Sequence, residues 1–421
     1  MYLSKISSTP VPSVNSRFVY RIPPCGDYSL SGLEDVLVVL KTGANEAPEK
    51  LPASFASTLR CAPNYVIYSD FEETIDGHPV HNALDKVNPE IVATHPEFEY
   101  YRLLQEHGRD AFTEAQLAEW SSAANTINGR DSPGWRLDKW KFLPMAEKAL
   151  KQRPETKWFV FIEADTYIIW KNIIKWLSYF NPSKLYYMGL QMSVGNIIFA
   201  YGGAGFILSK PALEALVEHR SSSLEYYDNF TANHWAGDCV MGKALKDAGV
   251  PLFWSWPTLI SENPAAMNFE DEFGGMKTKR LWCHYAATYH HLSPEEVLGL
   301  SDFEEEWNAE SSAMIRHKDV FRYHVLPHIR SQYDDWDNLS STEQSTDSSF
   351  EECRQTCESQ SDCIQFSLSG RTCRTGTIIK LGRQRFATTD ERVVSGWMID
   401  RVHEFVERND ALCKHEEWVL P

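Results

Sequence analysis

The chain has no apolar run long enough to cross a bilayer, where a spanning helix needs roughly 18 to 20 consecutive apolar residues. The opening Met1-Tyr-Leu-Ser-Lys-Ile-Ser-Ser has no apolar centre, so it does not read as a secretory leader. There is no basic excess: 41 Lys+Arg face 58 Asp+Glu, a net charge of −17. That balance excludes nucleic acid as a partner, because its phosphates need a basic face, and argues equally against docking on anionic lipid. No Cys-x-x-Cys pair occurs, and no His interrupts the Cys353–Cys373 cluster, which weakens a zinc reading. Lys and Arg are also missing from residues 331–349. What remains is 43% hydrophobic, 13% aromatic and 24% charged over 421 residues. This is globular composition, and the length predicts two or three folded units.

Nine cysteines are present, four of them close together at Cys353, Cys357, Cys363 and Cys373. A disulfide-stapled, loop-rich module is the better reading of that cluster, with zinc as its alternative. Asn229-Phe-Thr and Asn338-Leu-Ser are glycosylation sequons, and they fit an oxidising secretory compartment. An odd count leaves at least one thiol without a partner in this chain. The pairing of Cys25, Cys61, Cys239, Cys283 and Cys413 is not legible.

Residues 1–30 are Ser- and Pro-rich and read as an arm. Asp35-Val-Leu-Val-Val-Leu-Lys-Thr-Gly43 and Asn64-Tyr-Val-Ile-Tyr-Ser-Asp70 are apolar runs bounded by turn residues, the pattern of strands covered on both faces. Helical stretches are expected around 97–121. Lys157-Trp-Phe-Val-Phe-Ile162 is the strongest strand and runs straight into Glu163-Ala-Asp165-Thr-Tyr167. Further helices are predicted over 170–180, after a Ser209 cap, over 238–248, and after the Ser293-Pro-Glu-Glu296 capping box. Alternating strands and helices make residues 31–330 an α/β domain. The acidic, Ser/Thr-rich residues 331–349 read as a linker and 350–415 as the stapled module.

In open α/β sheets ligands bind beyond the carboxyl ends of the strands. Glu163 and Asp165 project there, and two carboxylates suit a divalent cation beside a diphosphate. A plain acidic turn is the competing reading. His284, His290 and His291 stand ahead of the Ser293-capped helix as candidate ligands.

Lys157-Trp-Phe-Val-Phe-Ile-Glu-Ala-Asp-Thr-Tyr167, followed by Tyr201-Gly-Gly-Ala-Gly-Phe-Ile-Leu-Ser-Lys210, resembles the family 31 glycosyltransferases. Within that family it is most similar to the core 1 β1,3-galactosyltransferases and the Fringe proteins. The resemblance covers about residues 33–300. It implies a GT-A fold, a UDP-sugar donor, a divalent cation (Mn²⁺ or Mg²⁺) and inversion at the anomeric carbon. The family's Asp-Asp-Asp-Thr-Tyr falls on Glu163-Ala164-Asp165-Thr166-Tyr167, which makes Asp165 a metal ligand. Its late Phe-His-Tyr falls on Tyr289-His290-His291, which makes His290 the second ligand. Its Glu-Asp helix start falls on Gly237-Asp238, which makes Asp238 the general base. Thr42, Gly43, Lys141, Glu163, Gly202 and Gly203 are the implied donor-binding residues, and Tyr201, Trp235 and Trp282 are candidates for stacking on sugars. The two departures, Ala164 and Gly237, keep open a catalytically dead relative that binds glycans as a scaffold. A Fringe-like GlcNAc transfer is the other alternative to transfer of galactose in β1,3 linkage.

Residues 350–415 resemble a PAN/Apple domain, a resemblance that implies Cys353–Cys373 and Cys357–Cys363 pairs and a protein or glycan partner. The family is usually anchored by an N-terminal helix and works in the Golgi lumen. No anchor is visible in this chain, but a lumenal site is expected.

Overall fold

The computed structural model describes residues 31–123, 132–272, 280–385, 392–413 and 418–421. The expected arm at 1–30 lies outside the described residues. Eight strands form the central sheet: β1 (Val36–Lys41), β2 (Tyr65–Ser69), β3 (Glu73–Ile75), β4 (His78–Asn82), β5 (Trp158–Glu163), β6 (Tyr187–Gly189), β7 (Phe206–Ser209) and β8 (Leu252–Trp254). Their order is β8-β6-β7-β5-β1-β2-β4-β3. β5, β1, β2 and β4 run parallel, while β7 is antiparallel to both β5 and β6. The apolar runs read from the sequence are the sheet's centre, since every residue of β1 is buried.

The chain leaves β1 toward β2 and returns at β5 on the opposite side of β1. The carboxyl ends of β1 and β5 therefore form a switch point, the place where open α/β sheets bind their ligands. The register sets Lys41 opposite Glu163 there. Helix α1 (Ala47–Ala56) follows β1, and the long helix α2 (Pro133–Gln152) leads into β5. Helices α3 (Leu224–Ala232) and α4 (Gly237–Asp247) follow β7, and α5 (Pro294–Glu310) begins at the expected Ser293 capping box. Ser209 does not cap its helix with its side chain. The hydroxyl instead accepts from Tyr186 N–H and donates to the Lys184 carbonyl, tying β7 to β6.

The expected linker at 331–349 is corrected: it is structured. Tyr333–Asp334 pairs with Val393–Trp397, Trp336–Asp337 with Arg383–Gln384, and Thr342–Ser345 with Thr372–Gly376. The first and third pairs join through Gln365–Ser369 into a five-stranded sheet, the second forms a two-stranded one, and helix α6 (Phe350–Ser359) is stapled onto the larger by Cys353–Cys373 and Cys357–Cys363. Helix α7 (Ile399–Leu412) then packs Phe405 on Trp282 of the α/β domain, and Cys283–Cys413 locks that contact. Cys61 is disulfide-bonded as well, and Cys239 is a buried free thiol. No helix among the described residues is long and apolar enough to cross a membrane.

Candidate active site

The end of β5 delivers Glu163 and Asp165 to the switch point. Ala164 between them turns into the core under α1, where the Ser54 hydroxyl holds its carbonyl at 3.2 Å. A third acid at that position would bury an uncompensated charge, which accounts for the alanine. Asp165 is buried, with Oδ1 3.2 Å from His290 Nε2 and Oδ2 3.2 Å from Lys50 Nζ. Glu163 lies 3.1 Å from Lys41 Nζ and 3.6 Å from His290 Nε2. Burial would raise both carboxyls, but these cations outweigh it. Lys41 and His290 hold Glu163 down at about 2, and Lys50 and His290 hold Asp165 well below the carboxylate range.

The lysines respond in kind. Burial opposes their charge, yet Asp138 and Glu163 raise Lys41, and Glu46 and Asp165 raise Lys50. His290 loses by burial and gains more from Asp165 and Glu163, which lift it to about 9. Its neighbour His291 is pushed down to about 4 by burial and by His290.

Asp165, His290 and His291 each offer a donor atom within 4.8 Å of the others. Both ring nitrogens of His290 are buried without a hydrogen-bond partner. Its Nε2 is close enough to Asp165 for attraction but badly angled for a hydrogen bond. A carboxylate beside two imidazoles fits a divalent cation of the Mn²⁺ type, whose binding would displace the proton that Asp165 and Glu163 hold on His290. Gly203 packs flat against the His290 ring, where any Cβ would run into the imidazole. Thr166 donates to the Gly203 carbonyl at 2.9 Å and so ties the two motifs together.

Asp238 stands in the first turn of α4. Its Oδ2 accepts from Gly202 N–H at 2.9 Å and its Oδ1 from Cys239 N–H at 2.8 Å. Burial nevertheless raises it to about 6, the opposite of its acidic neighbours. Gly237 lies against Phe142 and the Lys139 backbone of α2, leaving no room for the glutamate expected there from the family pattern.

Glu163, Asp165, Gly202, Gly203, Asp238 and His290 thus converge on one site, and Thr42 at the end of β1 donates to Glu46, which pairs with Lys50. Two expected roles are corrected. Lys141 is 1% exposed and donates to the Thr42 carbonyl at 2.8 Å, 3.5 Å from Asp70, so it braces the β1 turn instead of offering a cation to phosphate. Trp282 is 0% exposed and donates its indole N–H to Asp410, so it is core and cannot stack on a sugar.

Lys50, Asp70 and Asp138 were not singled out from the sequence as site residues, and Lys41 was marked only through the resemblance of Lys41-Thr42-Gly43 to the family's first strand end. Of the first three, Lys50 alone left a trace there, since it shares a helical face with Ala47, Leu51 and Ser54, where a solvated lysine does not belong. Of the two sequons, Asn229 is exposed on α3. Asn338 is 0% exposed, with its amide donating to the Phe366 and Gly396 carbonyls. The expectation of a glycan on Asn338 is therefore corrected.

A family model described as Fringe-like matches residues 111–259. The match holds Glu163, Asp165, Gly202, Gly203 and Asp238, and it ends before His290. Among solved structures, the chain is similar to a glycosyltransferase involved in the glycosylation of the major capsid of PBCV-1. That similarity is 13% identity over 64% of this chain and 99% of the other, at a TM-score of 0.24.

Proposed function

We propose that this protein is a glycosyltransferase that moves a hexose from a UDP-sugar onto the hydroxyl of a glycan or glycoprotein, inverting the anomeric carbon. The observation that carries the reading is the pairing, within a Fringe-like segment, of two carboxylates held far below the usual range with one, Asp238, raised to about 6. Two groups of opposite proton affinity in one site suit opposite duties. The depressed pair stays anionic and faces cationic groups. Asp238 sits near neutrality, where a general base is most effective. Its two hydrogen bonds leave acceptor capacity on both oxygens for the proton of an incoming hydroxyl. That hydroxyl oxygen would attack the sugar's C1 from the face opposite UDP.

Asp165, His290 and His291 would hold a divalent cation, Mn²⁺ or Mg²⁺, which would supply positive charge beside the leaving diphosphate. Lys41 and Lys50 keep the acidic loop folded against the sheet, and Gly202 N–H orients Asp238. A GT-A arrangement, galactose as the sugar and a β1,3 linkage belong to this proposal by resemblance. So do a lumenal, Golgi-type location, which disulfides favour, and a PAN/Apple-like role for the stapled sheet.

A second reading has its own observation. Lys50 already neutralises Asp165, so the site holds together as a salt-bridged glycan-binding scaffold without chemistry. Calorimetric titration of UDP, with Mn²⁺ and then with EDTA, separates the two. Cation-dependent binding lost in Asp165→Ala is expected for the enzyme, and absence of UDP binding with either Mn²⁺ or Mg²⁺ would leave the scaffold.

A further inference from the structure

Five aromatic rings line the surface that leads to Asp238, and their planes are nearly parallel. Tyr226 and Phe230 on α3 lie 6.3 Å apart between centroids at 16°. Phe230 and His234 follow at 5.4 Å and 22°, and His234 and Trp235 at 6.2 Å and 14°. Trp235 then meets Trp135, in the first turn of α2, at 6.3 Å and 13°. Spacing of four residues puts Tyr226 and Phe230 on one face of α3, and His234 follows just beyond the helix's end.

The protein's own interior packs rings both ways, and the buried Phe161–Phe206 pair is stacked at 6°. The buried ring pairs at Phe98–Trp140 and Trp282–Phe405 are edge-to-face, as quadrupoles prefer. Tyr226 and Trp235 are 50% and 49% exposed, so the row is open to solvent at two of its steps.

The row ends beside residues of the site on two elements. Trp235 is three residues ahead of Asp238. Trp135 and Asp138 share one face of α2, and Asp138 pairs with Lys41, which pairs with Glu163. The row also carries no net charge of its own. Lys139 is held by Glu97 and Lys243 by Asp247, and burial lowers the His234 pKa, which favours the neutral imidazole.

We infer that this row is the acceptor's docking track and takes a neutral oligosaccharide of several sugars, with the pyranose C–H faces laid on successive rings and the terminal hydroxyl delivered to Asp238. This rests on the transferase reading. Flat, uncharged, parallel faces favour a sugar chain over a charged peptide, and a net charge of −17 disfavours sialylated chains.

The test uses the full chain and fluorescent β-galactosyl and N-acetyllactosamine oligosaccharides of one to four units. Sialylated counterparts and unglycosylated peptides run beside them, as does Asn229→Gln to clear the sequon on α3. The neutral tetrasaccharide should bind at least about tenfold tighter than the monosaccharide. Trp235→Ala should lose about tenfold for every length, and Tyr226→Ala should lose affinity only for the longer chains. UDP titration with Mn²⁺ should be unchanged in both variants. Affinity independent of length, wild-type glycan binding in both variants, or preference for peptide or sialylated chains would overturn the track. Loss of UDP binding in the wild type would instead sink the donor site, and the glycan data would stand apart from it.

Discussion

At the carboxyl end of the central sheet, Lys41, Lys50 and Lys141 are packed against Glu163, Asp165, Asp70 and Asp138, whereas the C-terminal sheet is organised around a neutral asparagine and two disulfides. Both regions hold polar groups away from water, but the stakes differ. Buried ions return little net stability compared with apolar packing, and they become costly once one partner is lost. A small core made of four half-cystines and Phe366 gains its rigidity from covalent closure and satisfied hydrogen bonds. Charge is concentrated where a charged ligand would sit, and staples where the core is smallest.

The sharpest way to break this contrast is at Asp165. Asp165→Ala should abolish cation-dependent UDP binding. It should also cost about 3–5 kcal/mol, because the buried Lys50 and His290 each lose an opposite charge. Joint replacement, Lys50→Met with Asp165→Leu, should recover most of that stability in urea unfolding while binding stays lost. Were the double variant no more stable than Asp165→Ala, the charges would be structural after all.

The covalent side is tested at Cys413→Ser. The Cys283–Cys413 bond closes a separation of 130 residues and clamps α7 onto Trp282. Its loss should cost about 2–5 kcal/mol by the usual range for native disulfides. Hydrogen exchange should quicken in α7 first and leave β1 and β5 protected. Uniform exchange across the chain would show that the two regions unfold as one.

Asn338→Ala should cost less, about 2–3 kcal/mol, because the Phe366 and Gly396 carbonyls and the Ser340 hydroxyl each lose a partner. Peptide mapping of secreted protein should find Asn338 without a glycan, and occupancy there in the folded protein would contradict its burial.

The two regions also differed in how far the sequence revealed them. β1, β2 and β5 were legible because each is a continuous apolar run closed by an acid or a glycine, and the last of them hands Glu163 and Asp165 to the switch point. Residues 331–349 were misread for the opposite reason. Their strands are two to four residues long, acidic, and paired with segments about thirty to sixty residues away, so neither alternation nor apolarity marks them. Lys50 was hidden similarly: its partner Asp165 is 115 residues distant, and no local pattern encodes such a pair. Gly237 and Ala164 read as lost functional groups in the sequence. In the fold each is the residue its packing demands, beside Phe142 in one case and under α1 in the other.

The smallest change in stability is the most diagnostic, because it sets two acids of one site against each other. Glu163 is held at about 2, below its ordinary 4.5, so its contribution to stability is present above that ordinary value and fades as pH falls toward 2. Asp238 is raised from 3.8 to about 6, so the folded state holds its proton more tightly, and its ionisation costs stability as pH climbs through that interval. Transfer needs Asp238 ionised. Below about pH 6 the rate should therefore fall toward tenfold per unit, while thermal stability contributed by Asp238 rises over the same window. Asp238→Asn should lower kcat by about 10²–10⁴, erase the acid limb, leave UDP affinity unchanged, and unfold at a higher temperature at pH 7 than the wild type. A variant that keeps the acid limb would move the base to another residue, and one that loses UDP binding would make Asp238 part of the donor site.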